Sequence, residues 1–563
     1  MMDPMAWWHN AVVYQIYPRS FADSNGDGIG DLRGILSKVD YLAELGVDVV
    51  WLSPVYRSPM VDNGYDISDY QDVDPLFGTL ADLDELIAQL HARDIKLVMD
   101  LVVNHTSDQH PWFIESRDPA SPKRDWYLWR PAREGMVAGT PGAEPSNAGS
   151  AFGGPGWQYD PASGEYYLHL FATEQPDLNW ENPEVRFAIY AMMRWWVDRG
   201  VDGFRMDVIN LISKTYPPVD GPAAPDGLCY DVGMVSNGPR IHEFLQEMNR
   251  EVGISQRGLF SVGEMGDVDA RLVRDYTAAS AQELGMVITF EHVQLDQASD
   301  LKWDLAELKL SKLKAVLSDY QNTLAVEGWN ALYFGNHDQP RSVSRFGNDT
   351  DQFRVASAKT LATTLHLLKG TPFVYQGDEL GMTNAGFTSI DQYQDVESLG
   401  FYQQATAMGL PEPAVLFAIA AKSRDNARTP MCWDDSPKAG FTTGEPWLAI
   451  NTNHDRINAA TESADPDSVL QHYRKLIALR RQLPVVSQGR FELLLADDEE
   501  LFCFTRTWGS QRLLVVANWT SGTVPWPDGL PDITGARLLL GTHATLGEAL
   551  AGWESRIYSL SAS

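Results

Sequence analysis

Three cysteines in 563 residues exclude several classes at once. Cys229, Cys432 and Cys503 lie far apart, form no C-x-x-C pair and leave an odd thiol. Neither a disulfide framework nor a cysteine zinc site is expected, and a reducing cytoplasm suits them. No run approaches the roughly 20 apolar residues that span a bilayer. Met1 to Tyr17 has neither a basic n-region nor a continuous apolar h-region, so no secretory leader is read there. Positive charge is scarce. Against 76 Asp and Glu stand 44 Lys and Arg, a net charge of −32 that argues against nucleic acid or an anionic membrane as partner. Repeats and low-complexity tracts are missing too, and 44% hydrophobic with 21% charged is ordinary globular composition.

What is present is rhythm. Short apolar runs read as strands buried on both faces at Val12–Tyr17, Val47–Ser53, Lys96–Asn104, Val201–Val208, Phe260–Gly263, Met286–Phe290, Ala331–Gly335 and Thr371–Tyr375. Helical patterns fall between most of them, at Leu32–Leu45, Leu80–Ala92, Val185–Arg199, Ile241–Val252, Leu305–Leu324 and Phe353–Leu368. Eight strands with helical crossovers predict an α/β fold, a (β/α)8 TIM barrel. The rhythm fails twice. Gly, Pro and aromatic residues dominate 105–182, an inserted subdomain after strand three. Beyond 486 short alternating strands predict a C-terminal antiparallel β-sandwich. The barrel then comprises 1–104 and 183–485, with 486–563 as the last domain.

Barrel chemistry sits at the C-terminal ends of strands. Strand four ends Arg205-Met206-Asp207, and alternation points Arg205 and Asp207 the same way, so the cation is expected to keep the carboxylate ionised as a nucleophile. Strand five ends in Glu264 after an apolar run, where burial suits a general acid. Strand seven ends Asn336-His337-Asp338, and strand three ends Asn104-His105. A nucleophilic carboxylate with a carboxylic acid is the minimum set for glycoside hydrolysis with retention. Tyr65, Phe152, Phe171 and Phe290 fall in candidate mouth loops, where rings stack on sugar faces.

The segments D-L-V-V-N-H (100–105), D-G-F-R-M-D-V (202–208), V-G-E-M (262–265) and F-G-N-H-D (334–338) resemble the four signature regions of glycoside hydrolase family 13, the α-amylase family. Q-I-Y-P-R-S-F (15–21), Q-P-D-L-N-W-E-N-P (175–183), Y-Q-G-D-E-L-G-M-T-N (375–384) and S-R-D-N-A-R-T-P-M (423–431) are similar to its oligo-1,6-glucosidase, dextran glucosidase and trehalose-6-phosphate hydrolase subgroup. The resemblance implies Asp207 as nucleophile, Glu264 as acid and base, and Asp338 as stabiliser of the distorted sugar. It implies Arg205, His105, His337 and Arg341 as sugar-binding residues, and Tyr65 beneath the first glucose, with Phe152 and Phe171 nearby. Asp66 paired with Arg424 would grip the non-reducing end and make the enzyme exo-acting.

Substrate preference is read from the same resemblance. Val208, after the nucleophile, is similar to the α-1,6-preferring members, and Phe290-Glu291-His292-Val293-Gln294 fits them too. The phosphate-hydrolysing branch tends to carry lysine where Gln294 stands, and a dianionic phosphate needs such a cation. Val293-Gln294-Leu295-Asp296-Gln297 also lacks the arginine-rich loop of the sucrose isomerisers. An α-glucosidase releasing α-1,6-linked glucose from isomaltose and short isomalto-oligosaccharides is therefore expected. The alternatives are trehalose-6-phosphate hydrolysis, an α-1,4- or sucrose-acting glucosidase, and a non-catalytic binding protein on the same barrel. Cys432 and Asp378 depart from the subgroup near the expected mouth. The stretch Asp23 to Asp31 resembles half of a calcium loop, although Gly34 stands where a bidentate Glu would close it. The subgroup implies a structural Ca2+ held by Asp23, Asn25, Asp27, the Ile29 carbonyl and Asp31, and no cofactor for catalysis. A small oligosaccharide is the expected partner, with the chain a monomer or weak oligomer.

Overall fold

The computed structural model describes residues 6–215, 218–224, 226–299, 301–543 and 546–560. Eight strands form one parallel sheet: β1 (Val13–Ile16), β2 (Val49–Leu52), β3 (Lys96–Val102), β4 (Gly203–Asp207), β5 (Phe260–Glu264), β6 (Met286–Ile288), β7 (Ala331–Leu332) and β8 (Thr371–Tyr375). They run in the order β6-β5-β4-β3-β2-β1-β8-β7, and a parallel bridge from Val287 to Asn330 joins the two ends into a barrel. β1, β2, β4, β5 and β8 are buried at every residue, which is why the sequence reads as continuous apolar runs rather than alternation.

Helices cover the barrel much as the periodicity predicts. Leu80–His91 opens on a capping box in which Thr79 and Asp82 satisfy each other's amides. Pro183–Arg199 closes on Gly200 in the left-handed region, at φ 114°. Two spans differ. The expected Leu32–Leu45 helix is split into Leu32–Leu36 and Val39–Leu45, the first capped by the Asp31 carboxylate on the Gly34 amide. Leu310–Thr323 begins five residues late, because Leu305 is drawn into an antiparallel bridge with Gln297.

Residues 105–182 carry a three-stranded sheet, in the order Trp129–Arg130, Glu165–Leu168, Trp157–Asp160. A second insertion, invisible to the periodicity, follows β8. It is the helix pair Val396–Ala407 and Glu412–Lys422. The C-terminal unit is antiparallel as expected and, among the described residues, forms one sheet of five strands: β9 (Arg490–Leu494), β10 (Leu501–Trp508), β11 (Gln511–Asn518), β12 (Arg537–Gly541) and β13 (Ser555–Leu560), ordered β9-β10-β11-β13-β12. Phe502, Phe504, Leu513 and Val515 face the barrel core, while Cys503, Leu514 and Val516 face Val524 and Leu550. Non-strand chain thus closes the outer face where a facing sheet was expected.

The seam between barrel and sheet is fastened by buried cations that meet carbonyls instead of carboxylates. On the barrel side of this seam, Arg480 donates to the His366, Leu368 and Gly370 carbonyls of the barrel itself. Arg506 donates to Val485 and Gly489 and to the Gln321 side chain. Lys314 donates to Leu495, Asp498 and Leu501. Several of these oxygens end helices, where a cation is favoured. Burial pushes both arginines down to about 9. Arg506→Met strands those acceptors, so it is expected to cost on the order of 3 kcal/mol and lower Tm by several degrees in thermal denaturation, leaving barrel chemistry intact.

Candidate active site

The site is organised around one guanidinium. Gly203 opens β4 because a Cβ there would sit 2.0 Å from the Phe260 carbonyl of β5, so β4 and β5 can pair only through glycine. Two residues on, Arg205 points into the barrel with no exposed surface. Its Nη1 lies 2.9 Å from Asp100 of β3 and 2.6 Å from Asp207, and its Nη2 meets Glu264 of β5. Asp207 and Glu264, the acids predicted at the ends of strands four and five, therefore converge on one cation, while Asp338 lies against His337, Arg424 and Arg428.

Sharing sets their ionisation. Burial pushes Glu264 up to about 8, with Asp207 and Asp338 adding to it against Arg205. Burial pushes Asp207 up to about 7, and Arg205 opposes this without cancelling it, since its charge is divided among Asp100, Asp207 and Glu264. Arg205 lies beside Asp207 and favours its ionised form as expected, while burial acts against it. Asp338, half-buried, is held far below the usual carboxylate range by His337, Arg424, Arg428 and Arg205. This order gives a carboxylic acid at Glu264, a lasting anion at Asp338 and a poised Asp207 between them.

His337 is fully buried, stacked on Tyr65 at 5.2 Å and 9°. The Gln15 amide nitrogen can only donate to its Nδ1 at 2.8 Å, so the ring proton lies on Nε2, 3.1 Å from Asp338. Burial lowers His337 to about 3 and His105 to about 4, so both are neutral donors. Tyr65 is fixed by its hydroxyl donating to Asp100 at 3.0 Å. His105 sits 3.2 Å from Gln175 and against Phe171, which in turn meets Phe152. Val208 adopts φ 36° and ψ 42°, costly for a β-branched residue, with its amide 3.4 Å from Glu264. Its side chain packs on the inserted subdomain beside Phe171. Phe290 is partly buried against the main core.

Arg424 lies at one end of this group, 3.2 Å from Asp62, 3.3 Å from Asp338 and 2.6 Å from Asp395. Two expectations are corrected here. Asp62, not Asp66, pairs with Arg424. Asp66 accepts from Ser58 and from the amides of Val61 and Asp62, all at 3.0 Å, and so closes the turn that presents Asp62 and Tyr65. Arg341 is turned away from the acids. It is buried and donates to the Gln376 and Asn426 carbonyls, holding loop to loop. Arg428 stands where Arg341 was expected, 2.8 Å from Asp338. Arg428 follows Arg424 by one helical turn, a spacing visible in the sequence. Asp395, N-cap of Val396–Ala407, carries no comparable signal. Of the two departures, Cys432 is packed in the core and Asp378 is buried against Ser342 and the Tyr375 amide.

The acidic loop at 23–31 folds as successive side-chain-to-amide turns: Asp23 accepts from Asn25, Gly26 and Gly28, Asn25 from Asp27, and Asp27 from Ile29. Asp31 faces Ser24 and caps the next helix at Gly34. Among the described residues no group of three or more His, Cys, Asp or Glu is arranged to hold a metal ion. Of the expected ligands, the side chains of Asp23, Asn25, Asp27 and Asp31 all accept hydrogen bonds from this loop or the next helix.

With Asp207 expected to act ionised and Glu264 protonated, kcat/KM is expected to give a bell against pH. The acidic limb follows protonation of Asp207 and the alkaline limb loss of the Glu264 proton. Glu264→Gln is expected to lower kcat by about 10²–10⁴-fold, and its residual activity to lack the alkaline limb. A limb that survives assigns the acid elsewhere.

With this geometry in hand, similarity to known proteins is informative. Residues 15–489 match the alpha-amylase family, described as the alpha amylase catalytic domain. An oligo-1,6-glucosidase of Parageobacillus thermoglucosidasius is 52% identical, over 98% of this chain and 99% of that one. Another, from Halalkalibacterium halodurans, is 54% identical over 91% of this chain and 90% of that one. Among solved structures, a trehalose-6-phosphate hydrolase of Bacillus licheniformis superimposes with a TM-score of 0.93 at 44% identity, covering 99% of this chain and all of that one (100%). The chain belongs to the alpha-amylase family.

Proposed function

We propose that the protein is a retaining, exo-acting α-glucosidase that releases α-1,6-linked glucose from the non-reducing end of isomaltose and short isomalto-oligosaccharides. The observation that carries this reading is the pairing of an acid couple on Arg205 with an end wall, Asp62 and Arg424, beside the Tyr65 ring. In the first step Asp207 attacks the anomeric carbon while Glu264 donates its proton to the departing glycosidic oxygen. In the second, Glu264 takes a proton from water, whose oxygen attacks the glucosyl-enzyme and frees Asp207. Asp338 offsets the positive charge that develops on the sugar in both steps. One guanidinium bridging both carboxylates supports the close spacing, roughly 5–5.5 Å, that retention uses.

The wall after β6 speaks for an uncharged leaving sugar. Gln294 is exposed at its rim. Arg345 and Lys422 both close on Asp296, and Lys302 closes on Glu397, so these cations are already paired with carboxylates. A phosphorylated sugar would have to compete for them. No helix among the described residues is long and apolar enough to cross a membrane, and we place the protein in the cytoplasm as a monomer or weak oligomer. Comparing kcat/KM on isomaltose, maltose, sucrose, trehalose and trehalose-6-phosphate tests the substrate, with isomaltose expected highest. Preference for trehalose-6-phosphate would overturn the reading.

A structural calcium ion at 23–31 belongs to the same proposal, with no part in catalysis. The sequence pattern supports it and the Asp31 cap opposes it. Chelation by EDTA is expected to lower Tm. An unchanged Tm in metal-free buffer would leave the loop held by its own turns.

A further inference from the structure

Beyond the two carboxylates, the chain that carries Asp207 is tied to the chain that carries Glu264. After Asp207, Val208 turns into the left-handed region and a 3-10 turn follows at Ile209–Leu211. Ile209 lies against Gly263, the residue before Glu264, where a Cβ would come within 2.9 Å of the Ile209 Cγ2. Next in the turn, Asn210 is fully buried. Its Nδ2 donates to the Gly266 carbonyl at 2.7 Å, two residues past Glu264, and to the Asn237 Oδ1 at 3.3 Å. A backbone carbonyl only accepts, so the orientation of the Asn210 amide is settled. Its Oδ1 has no hydrogen-bond partner among the described residues. The polar work of this side chain therefore lies in its two donors.

A second layer holds the tie. The Asn237 amide donates to the Asn210 carbonyl at 2.9 Å, and Asn237 Nδ2 donates to the Asp267 carbonyl at 3.0 Å. From further out, the Tyr276 hydroxyl donates to Asn237 Oδ1 at 2.8 Å. Asn237 and Asp267 are also left-handed, at φ 49° and 53°, which their side chains tolerate. Val208 is the costly one, being β-branched at φ 36°. Such backbone persists only where its neighbours over-determine it. Here Asp207 on Arg205 holds one side and Asn210 on Gly266 holds the other. Released on the second side, Val208 relaxes toward ordinary backbone and draws Asp207 with it.

We propose that Asn210 is a positioning residue that sets the spacing of Asp207 and Glu264, by clamping the turn after one to the loop after the other. Its hydrogen bonds reach neither carboxylate. The inference rests on the α-glucosidase reading for the roles of the two acids. Retention uses carboxylates roughly 5–5.5 Å apart, and a misplacement of about 1 Å can cost about 10²-fold in rate. The end wall of Asp62 and Arg424 and the Tyr65 ring stand on other loops, so glucose binding is spared. Glu264 is faced by Arg205, Asp207, Asp100, Asp338 and Tyr333, and of these Asp207 adjoins the clamped turn. Moving the Asp207 charge away from Glu264 makes the Glu264 proton easier to lose.

Asn210→Ala is expected to lower kcat on isomaltose about tenfold or more, with KM and calorimetric glucose affinity within about twofold. The alkaline limb of its pH profile is expected to move to lower pH. Asn210→Ser keeps one donor and is expected to lose less of both, and it carries the test should the alanine variant fail to fold. Tyr276→Phe loosens the same loop one bond further out, and is expected to lower Tm with kcat unchanged. A folded Asn210 variant with wild-type kcat and an unmoved limb overturns the role. So does a fall in kcat matched by an equal fall in glucose affinity, or the same kcat loss in Tyr276→Phe. Wild-type turnover of isomaltose checks the glucosidase reading separately.

Discussion

The buried Arg205 guanidinium is the constraint on which the rest of the site depends. Without a partner, a fully buried cation costs several kcal/mol; here it is met by three carboxylates from three adjacent strands. The barrel register brings them together, since Asp100 pairs with Arg205 across β3 and β4 while Val262 pairs with it across β4 and β5. Three acids sharing one cation cannot all be comfortably ionised, so at least one holds a proton near neutral pH. Burial does most to favour a proton on Glu264, and the surplus of negative charge from Asp207 and Asp338 adds to it.

A second surplus surrounds Arg424 and Arg428. Four acids meet two arginines, and Asp62 is left pushed up to about 6 by burial. The two clusters touch through Asp338 and His337, so the pocket is one continuous network closed by loops from different parts of the chain. Long-range contacts of this kind rigidify a site only if every member is satisfied. The turn held by Asp66 and the helix Val396–Ala407 carrying Glu397 supply that satisfaction at a distance from the chemistry. The net charge of −32 is thus not spread evenly over the surface. Part of it is buried where catalysis uses it, while the cations at the C-terminal seam are satisfied by carbonyls.

Barrel, insertion and the acids at the strand ends were legible in the sequence because each is written locally. Buried parallel strands leave uninterrupted apolar runs, and strand ends carry their polar residues within two or three positions of those runs. Alternation along β4 put Arg205 and Asp207 on one side without any tertiary information. Failures came where a choice depended on what lay across a gap. Asp62 and Asp66 flank Tyr65 almost equally in the sequence, and only the path of the turn decides which carboxylate faces Arg424 and which one closes the loop. Arg341 has the composition of a binding residue yet spends its donors on carbonyls. The helix pair after β8 escaped notice because its partly exposed helices lack a clear apolar stripe.

The sequence by itself determined the element types, the barrel and the strand-end positions of the three acids proposed for catalysis, since periodicity and strand-end position are properties of neighbouring residues. Tertiary structure alone decided how charge is shared. Whether Asp207 is fully ionised, which aspartate ends the pocket, and which cation neutralises Glu397 depend on distances between residues far apart in the chain. Coulomb energies and desolvation follow those distances and the burial around them, and neither is written in any local stretch of sequence.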